Sequence, residues 1–219
     1  MIKTNFFRSL LIAPTAFLLA ACATYSFLFD DLTKQGFTLD GLYDGGTGVH
    51  VETCSQADLN TLYTLWPDSV SNPTNPDARS LAMRIVPTCF PQGTSTGYFR
   101  FDFVSPDVSA ISGWANIDRV RYSAKTNIPG IQAQALLRIQ KDDGSEVTIF
   151  AVDGAGDPVL NSVPDLAGWQ EFSFEIPEMD QGFQVLEVRV RIYGDIADSF
   201  IYWGPEALVQ VDRIVAYRD

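Results

Sequence analysis

Apolar and polar residues alternate with a period of two in run after run of this chain, and that period belongs to β-strands with one buried face. From Ile131 to Ile139, Ile131, Ala133, Ala135, Leu137 and Ile139 share one phase while Gln132, Gln134 and Arg138 share the other. Phe99, Phe101 and Phe103 alternate with Arg100 and Asp102; Phe172, Phe174 and Ile176 form a third set; and 186–192 place Glu187, Arg189 and Arg191 opposite an apolar face. Further strands are expected at 81–86, 119–125, 147–152, 200–203 and 208–217. Asp142-Asp143-Gly144-Ser145 reads as a hairpin turn, and Asp153 to Pro158 as the end of the next strand. Eight to ten strands in one domain need two packed sheets, so the expected fold class is all-β, a β-sandwich. The least regular stretch runs from Glu52 to Asp77, with a short helix expected around Asp58 to Leu65.

The first residues obey a different rule. Lys3 and Arg8 precede an apolar stretch from Leu10 to Ala21 that is too short, and too interrupted by Pro14, to span a bilayer permanently; it reads as an export signal. It ends in Leu19-Ala20-Ala21-Cys22, which resembles the lipobox of bacterial lipoproteins. That resemblance implies cleavage before Cys22, acylation of its thiol, and a bacterial envelope location. Ala23 in place of an aspartate favours the outer membrane by similarity to enterobacterial sorting. Ordinary secretory cleavage after Ala23 is the alternative. The domain organisation is therefore a signal peptide at 1–21, a lipidated terminus and tether at 22–26, and a sandwich domain at 27–219.

With Cys22 assigned to lipid, Cys54 and Cys89 remain as an even pair in a compartment that permits disulfides. Their bridge would close a loop of about 34 residues and constrain the unfolded chain by roughly 3–4 kcal/mol. Two separate buried thiols are the alternative. The net charge of −12 becomes more negative once Lys3 and Arg8 leave, which argues against nucleic acid or an anionic lipid surface as partner.

The order of elements, FLFDDLTKQGFTLDG, ARSLAMRIV, GWQEFSFEIP and VQVDRIVAY, resembles the galactose-binding-like jelly roll shared by many carbohydrate-binding modules. The resemblance covers nearly all of 26–219 and implies a noncatalytic glycan-binding lipoprotein whose partner is a polysaccharide. It also implies a structural calcium held by Asp31, with Asp30 beside it, and by Asp212; the competing readings are that Asp212 pairs with Arg213 or Arg84, or simply faces water. Sugar sites in the family use aromatic platforms, because sugar C–H faces stack on Trp or Tyr. The candidates are Tyr63 and Trp66 in the irregular stretch, Trp114 after Ser112-Gly113, and Tyr202 and Trp203 before Gly204-Pro205. Trp169 reads as core.

Arginines at polar strand positions, Arg100, Arg119, Arg121, Arg138, Arg189 and Arg191, read either as solvated faces paired with Glu and Asp or as residues some of which converge on one sheet face. In the second case Arg119 and Arg121 would grip carboxylates of an acidic polysaccharide. His50, near Tyr43, is the sole histidine, and no serine nucleophile elbow, HExxH or phosphate loop occurs, so catalysis has little support. Two alternatives remain open: an assembly lipoprotein that docks on an envelope protein complex, and a small carbohydrate-active enzyme working through two of its many carboxylates.

Overall fold

The computed structural model describes residues 25–29, 35–44, 64–68, 80–84, 98–164, 168–179, 181–195 and 208–218, with backbone alone at 41–44, 64–68, 83–84 and 98–99. Twelve strands appear among them: β1 (Tyr25–Phe27), β2 (Thr38–Asp44), β3 (Thr64–Asp68), β4 (Ser80–Arg84), β5 (Tyr98–Val104), β6 (Arg119–Thr126), β7 (Gln132–Lys141), β8 (Glu146–Phe150), β9 (Asn161–Ser162), β10 (Gln170–Glu175), β11 (Phe183–Asp195) and β12 (Leu208–Tyr217). They form two antiparallel sheets. The first has the order β10-β6-β12-β4-β3, with β1 beside β12; the second has the order β2-β5-β11-β7-β8, with β9 beside β7. This is the expected two-sheet jelly-roll sandwich.

The alternating residues meet between the sheets. Val120, Tyr122, Phe174, Val209, Val211 and Ile214 of the first sheet bury against Phe101, Phe103, Leu137, Ile139, Val190 and Ile192 of the second. Such interdigitation removes apolar surface from water on both inner faces, and it is the main term holding the sheets together. The turn at Asp142 to Ser145 is the expected hairpin, with Gly144 at φ 84° and the Asp143 carboxylate accepting the Ser145 N–H at 2.8 Å.

Two ends of the sandwich can be told apart by their connections. At the upper end β6 hands over to β7 through 127–131, and β11 stops at Asp195. At the lower end β5 passes to β6 through 105–118, and β10 passes to β11 through 176–182.

Several boundaries differ from expectation. Thr64 and Leu65 belong to edge strand β3 rather than to a helix, since they pair with Arg84 and Met83 in a ladder. Tyr25 and Ser26 belong to β1, not to a tether, because they pair with Ala216 and Val215 of β12. Leu136 and Gln134 sit in the outward phase of β7 and are nonetheless buried. The 151–159 segment folds back over this part of the strand, and Gln134 Nε2 donates to the carbonyls of Ala151 and Val159, both at 3.3 Å.

Candidate functional site

A cavity of about 710 Å³ opens at the upper end. Its described walls come from the start of β7, from β9 and the residues after it, and from the end of β11. Register places Tyr193 of β11 opposite Gln132 of β7, and Gln132 opposite Ser162 of β9. Ring, amide and hydroxyl thus stand side by side in one row, about 4.8 Å apart from strand to strand. Asp195 adds a carboxylate, while Ile131, Leu160 and Val163 supply apolar wall.

The connection from β6 that leads into the cavity wall is tied down. Thr126 Oγ1 accepts the Ile128 N–H at 3.0 Å and donates to the Leu208 carbonyl at 2.9 Å, while Asn127 Oδ1 accepts the Leu208 N–H at 2.8 Å. Gly130 turns the chain into β7 at φ 73°, a conformation that costs a residue with a Cβ about 1 kcal/mol or more. A half-buried aromatic ring flanked by amide, hydroxyl and carboxylate has the chemistry to take a polyhydroxylated ring, its C–H face on the aromatic and its hydroxyls on the polar groups.

Sequence reasoning did not single out this constellation. Tyr193 shares the outward phase of Glu187, Arg189 and Arg191, and an aromatic residue in that phase was the available signal. Its neighbours across the row come from distant segments and are joined only by register.

Trp114 is a correction. It is fully buried on a short 3-10 turn at the lower end, with its ring 6.0 Å from that of Tyr25 and 5.9 Å from that of Phe27. This turn, made of Ser112, Gly113 and Trp114, carries the indole inward to close the core, so Trp114 has no face to offer a sugar. Trp169 departs in the other direction: it is half-buried before β10, with Lys125 Nζ 5.9 Å from its ring.

Arg119 and Arg121 lie on β6, on the outer face of the first sheet, away from the cavity. Arg119 pairs with Glu175 at 3.5 Å and Arg121 with Glu171 at 3.7 Å, and both guanidiniums stand over the Tyr217 ring at 5.6 and 4.9 Å. Arg119 and Arg121 are therefore apart from the other four, Arg100, Arg138, Arg189 and Arg191, which share strands β5, β7 and β11 of the second sheet. Arg138, Arg189 and Arg191 belong to the other sheet, where the chain's own carboxylates hold them. Arg191 binds Asp102 in a two-point contact at 2.7 and 2.8 Å; Arg189 reaches Glu187 at 2.7 Å and Asp102 and Asp40 at 3.3 Å; and Arg138 meets Glu187 at 3.2 Å. The hydrogen bonds that Arg191 donates to Asp102 hold its pKa above the ordinary guanidinium value against desolvation. For Arg189, burial pulls the other way and is outweighed by Glu187 and Asp102. An acidic polymer would have to displace these internal partners to be gripped here.

Asp212 is fully buried at a β-bulge of β12, where Arg213 takes φ 49° and donates its N–H to Asp212 Oδ1 at 2.6 Å. The Arg213 guanidinium turns instead to Glu171, at 3.4 Å. A buried carboxylate is the donor chemistry calcium takes. Among the described residues no three carboxylate, histidine or cysteine side chains gather, and Asp30 and Asp31 lie outside them, so the described part supplies one of the implied ligands.

Cys22, His50, Cys54, Tyr63, Cys89, Tyr202 and Trp203 also lie outside the described residues. The Trp66 backbone pairs with Ala82 on β3, and its side chain lies outside the description.

No family model matches this sequence, and no curated protein does. Among solved structures, the chain is similar to the C-terminal family 22 carbohydrate-binding module of Clostridium thermocellum Xyn10B, at 11% identity over 88% of this chain and 91% of that one, with a TM-score of 0.45. It is also similar to the CBM22-1 xylan-binding domain of Paenibacillus barcinonensis Xyn10C, at 10% identity over 90% and 94%, with a TM-score of 0.42. A third is the enzymatically active domain of bacteriophage CBA120 tailspike protein 4, at 10% identity over 86% of this chain, with a TM-score of 0.40; the chain spans 20% of that protein's length. Likeness at this level carries no argument about ligands, and the site stands on its own residues.

Proposed function

We propose that the chain is a noncatalytic glycan-binding module, held at the bacterial cell envelope by lipid on Cys22. The observation that carries the binding reading is the upper-end cavity, where Tyr193, Gln132 and Ser162 form one row beside Asp195 and an apolar wall. The ring supplies stacking, and the amide, hydroxyl and carboxylate supply hydrogen bonds whose directions select among sugars. Tyr202 and Trp203, which follow the cavity-wall residue Asp195 in the sequence, are proposed as further ligand-binding residues.

Neutral or lightly charged polymers fit this site better than strongly acidic ones. Asp195 stands in its wall, and Arg119, Arg121, Arg138, Arg189 and Arg191 each hold a carboxylate of the chain itself. Structural calcium at Asp212 with Asp31, and a Cys54–Cys89 bridge, belong to the same proposal as supports for the loops around the body.

Affinity electrophoresis through gels containing neutral and uronic-acid polysaccharides tests the reading. Retardation by a neutral polymer is expected, with Tyr193→Ala weakening it by about 1–2 kcal/mol, roughly 5- to 30-fold. Undiminished retardation of Tyr193→Ala would remove the cavity as the site. A folded chain that no glycan retards would favour the assembly lipoprotein instead.

A further inference from the structure

We infer that the lipid anchor holds the lower end of the sandwich toward the bilayer and presents the cavity away from it. The inference rests on the proposed acylation of Cys22, and it assigns the lower end as the surface that faces lipid.

The placement of β1 carries the argument. Read from Phe27 back to Tyr25, the strand runs along β12 from Ile214 to Ala216, toward the lower end. Tyr25 is fixed there. A Cβ built on Gly113 would lie 2.7 Å from the Tyr25 Cβ, so the backbone of the 3-10 turn approaches β1 closely at a residue with no side chain. The Tyr25 ring packs edge-on against Phe27 at 5.4 Å and Trp114 at 6.0 Å. Only Ala23 and Thr24 separate this anchored residue from Cys22. At roughly 3.5 Å per residue, Cys22 reaches no more than about 10 Å from Tyr25.

The cavity is too far away for such a tether to invert the domain. From Tyr217 to Leu208 the β12 strand covers ten residues, about 30 Å at the usual rise per residue. Pointing the cavity mouth at the bilayer would carry the point of attachment that far from the lipid, about three times the tether's reach. Charge sets the standoff of this end from the bilayer and not the orientation, which comes from the tether. Asp107, Asp118, Asp142, Asp143, Glu175 and Glu178 are exposed around the lower end. Beside an anionic leaflet they repel it within a Debye length of roughly 8–10 Å, which keeps this end from embedding. The domain stands on a short stem, with its cavity open to polymer in the compartment beyond rather than to molecules of its own membrane.

The test uses the full chain, produced in a host that processes lipoproteins and reconstituted into phosphatidylcholine vesicles carrying a headgroup spin-labelled phosphatidylcholine. A fluorophore is attached at Glu178→Cys, at the lower end, or at Pro164→Cys, at the cavity, and the parent chain taken through the same labelling gives the background. Flotation with the vesicles, abolished in Cys22→Ser, reports the anchor on its own. A chain that does not float, or floats equally well as Cys22→Ser, overturns the anchor reading and this inference with it. Given flotation, several-fold stronger quenching at Glu178 than at Pro164 is expected. Equal quenching, or stronger quenching at Pro164, overturns the orientation while leaving the anchor intact. Insertion of about ten Gly and Ser residues between Thr24 and Tyr25 should level the two positions; a difference that survives the insertion would show that the short stem is not what orients the domain.

Discussion

Replacing Asp102 by alanine tests the ionic row on the second sheet. The carboxylate side chain is 5% exposed and receives Arg191 at 2.7 and 2.8 Å and Arg189 at 3.3 Å. Removing it leaves Arg189 with Glu187 and Asp40, so most of the loss falls on Arg191, whose side chain is 18% exposed. Breaking a fully buried pair from one side costs about 3–5 kcal/mol, and each hydrogen bond to a charged group is worth roughly 1.5–3 kcal/mol. Water reaches part of the Arg191 guanidinium, which brings the expected loss down to about 2–3 kcal/mol. Asp102→Asn, which keeps an acceptor and the shape, should lose less. The double variant Asp102→Leu with Arg191→Met should fall near the parent, because neither charge is then stranded. Urea denaturation reads these values as midpoint shifts at constant slope, at low and at high salt. A loss below about 0.5 kcal/mol for Asp102→Ala, or one erased by salt, would place the row among ordinary surface pairs and refute the reasoning.

Three further outcomes follow from individual residues. Burial pushes the Tyr122 hydroxyl well above the usual phenol pKa; the nearby Asn161 side chain opposes this only in part, and the hydroxyl makes no hydrogen bond of good geometry. A raised folded-state pKa favours the neutral form, so this contribution is full below about pH 10 and is lost as pH climbs above it. Tyr122→Phe should therefore be neutral or stabilising by about 1 kcal/mol in urea melts at pH 7 and should flatten the alkaline decline; an unchanged decline would contradict this. Gly113→Ala should push β1 off the 3-10 turn and lose about 1–3 kcal/mol in the same melts, because its Cβ would meet the Tyr25 Cβ at 2.7 Å; a parent-like melt would show that β1 yields freely. If Asp212 and Asp31 hold calcium, chelator should lower the melting temperature and added calcium restore it, with Asp212→Asn insensitive to both; indifference of the parent chain would remove the ion from the proposal.

The sandwich was legible because its signal is local. In 208–217, Val209 and Val211 share one phase and Ile214 and Ala216 the other, and the slip falls on Asp212 and Arg213, where the structure has its bulge. Trp114 was misread because Ser112-Gly113 looks the same whether its turn throws the ring outward or folds it under the core. Tyr25 deciding that matter lies far away in sequence. The arginines were legible as outward residues, but not their partners: Asp102 reaches Arg191 through the β5 to β11 register, across 89 residues. The cavity row has the same character. Gln132, Ser162 and Tyr193 carry no shared motif, and only the order of strands brings them together.

The most direct test of the glycan-binding account is to titrate an isotopically labelled chain with the neutral polymer that retards it and to map the backbone amide shifts. The account predicts shifts concentrated at Gly130, Gln132, Ser162, Tyr193 and Gly194, on the cavity wall. Shifts clustered instead around Arg138, Arg189 and Arg191, or around Arg121 and Tyr217, would contradict it and move the site onto a sheet face.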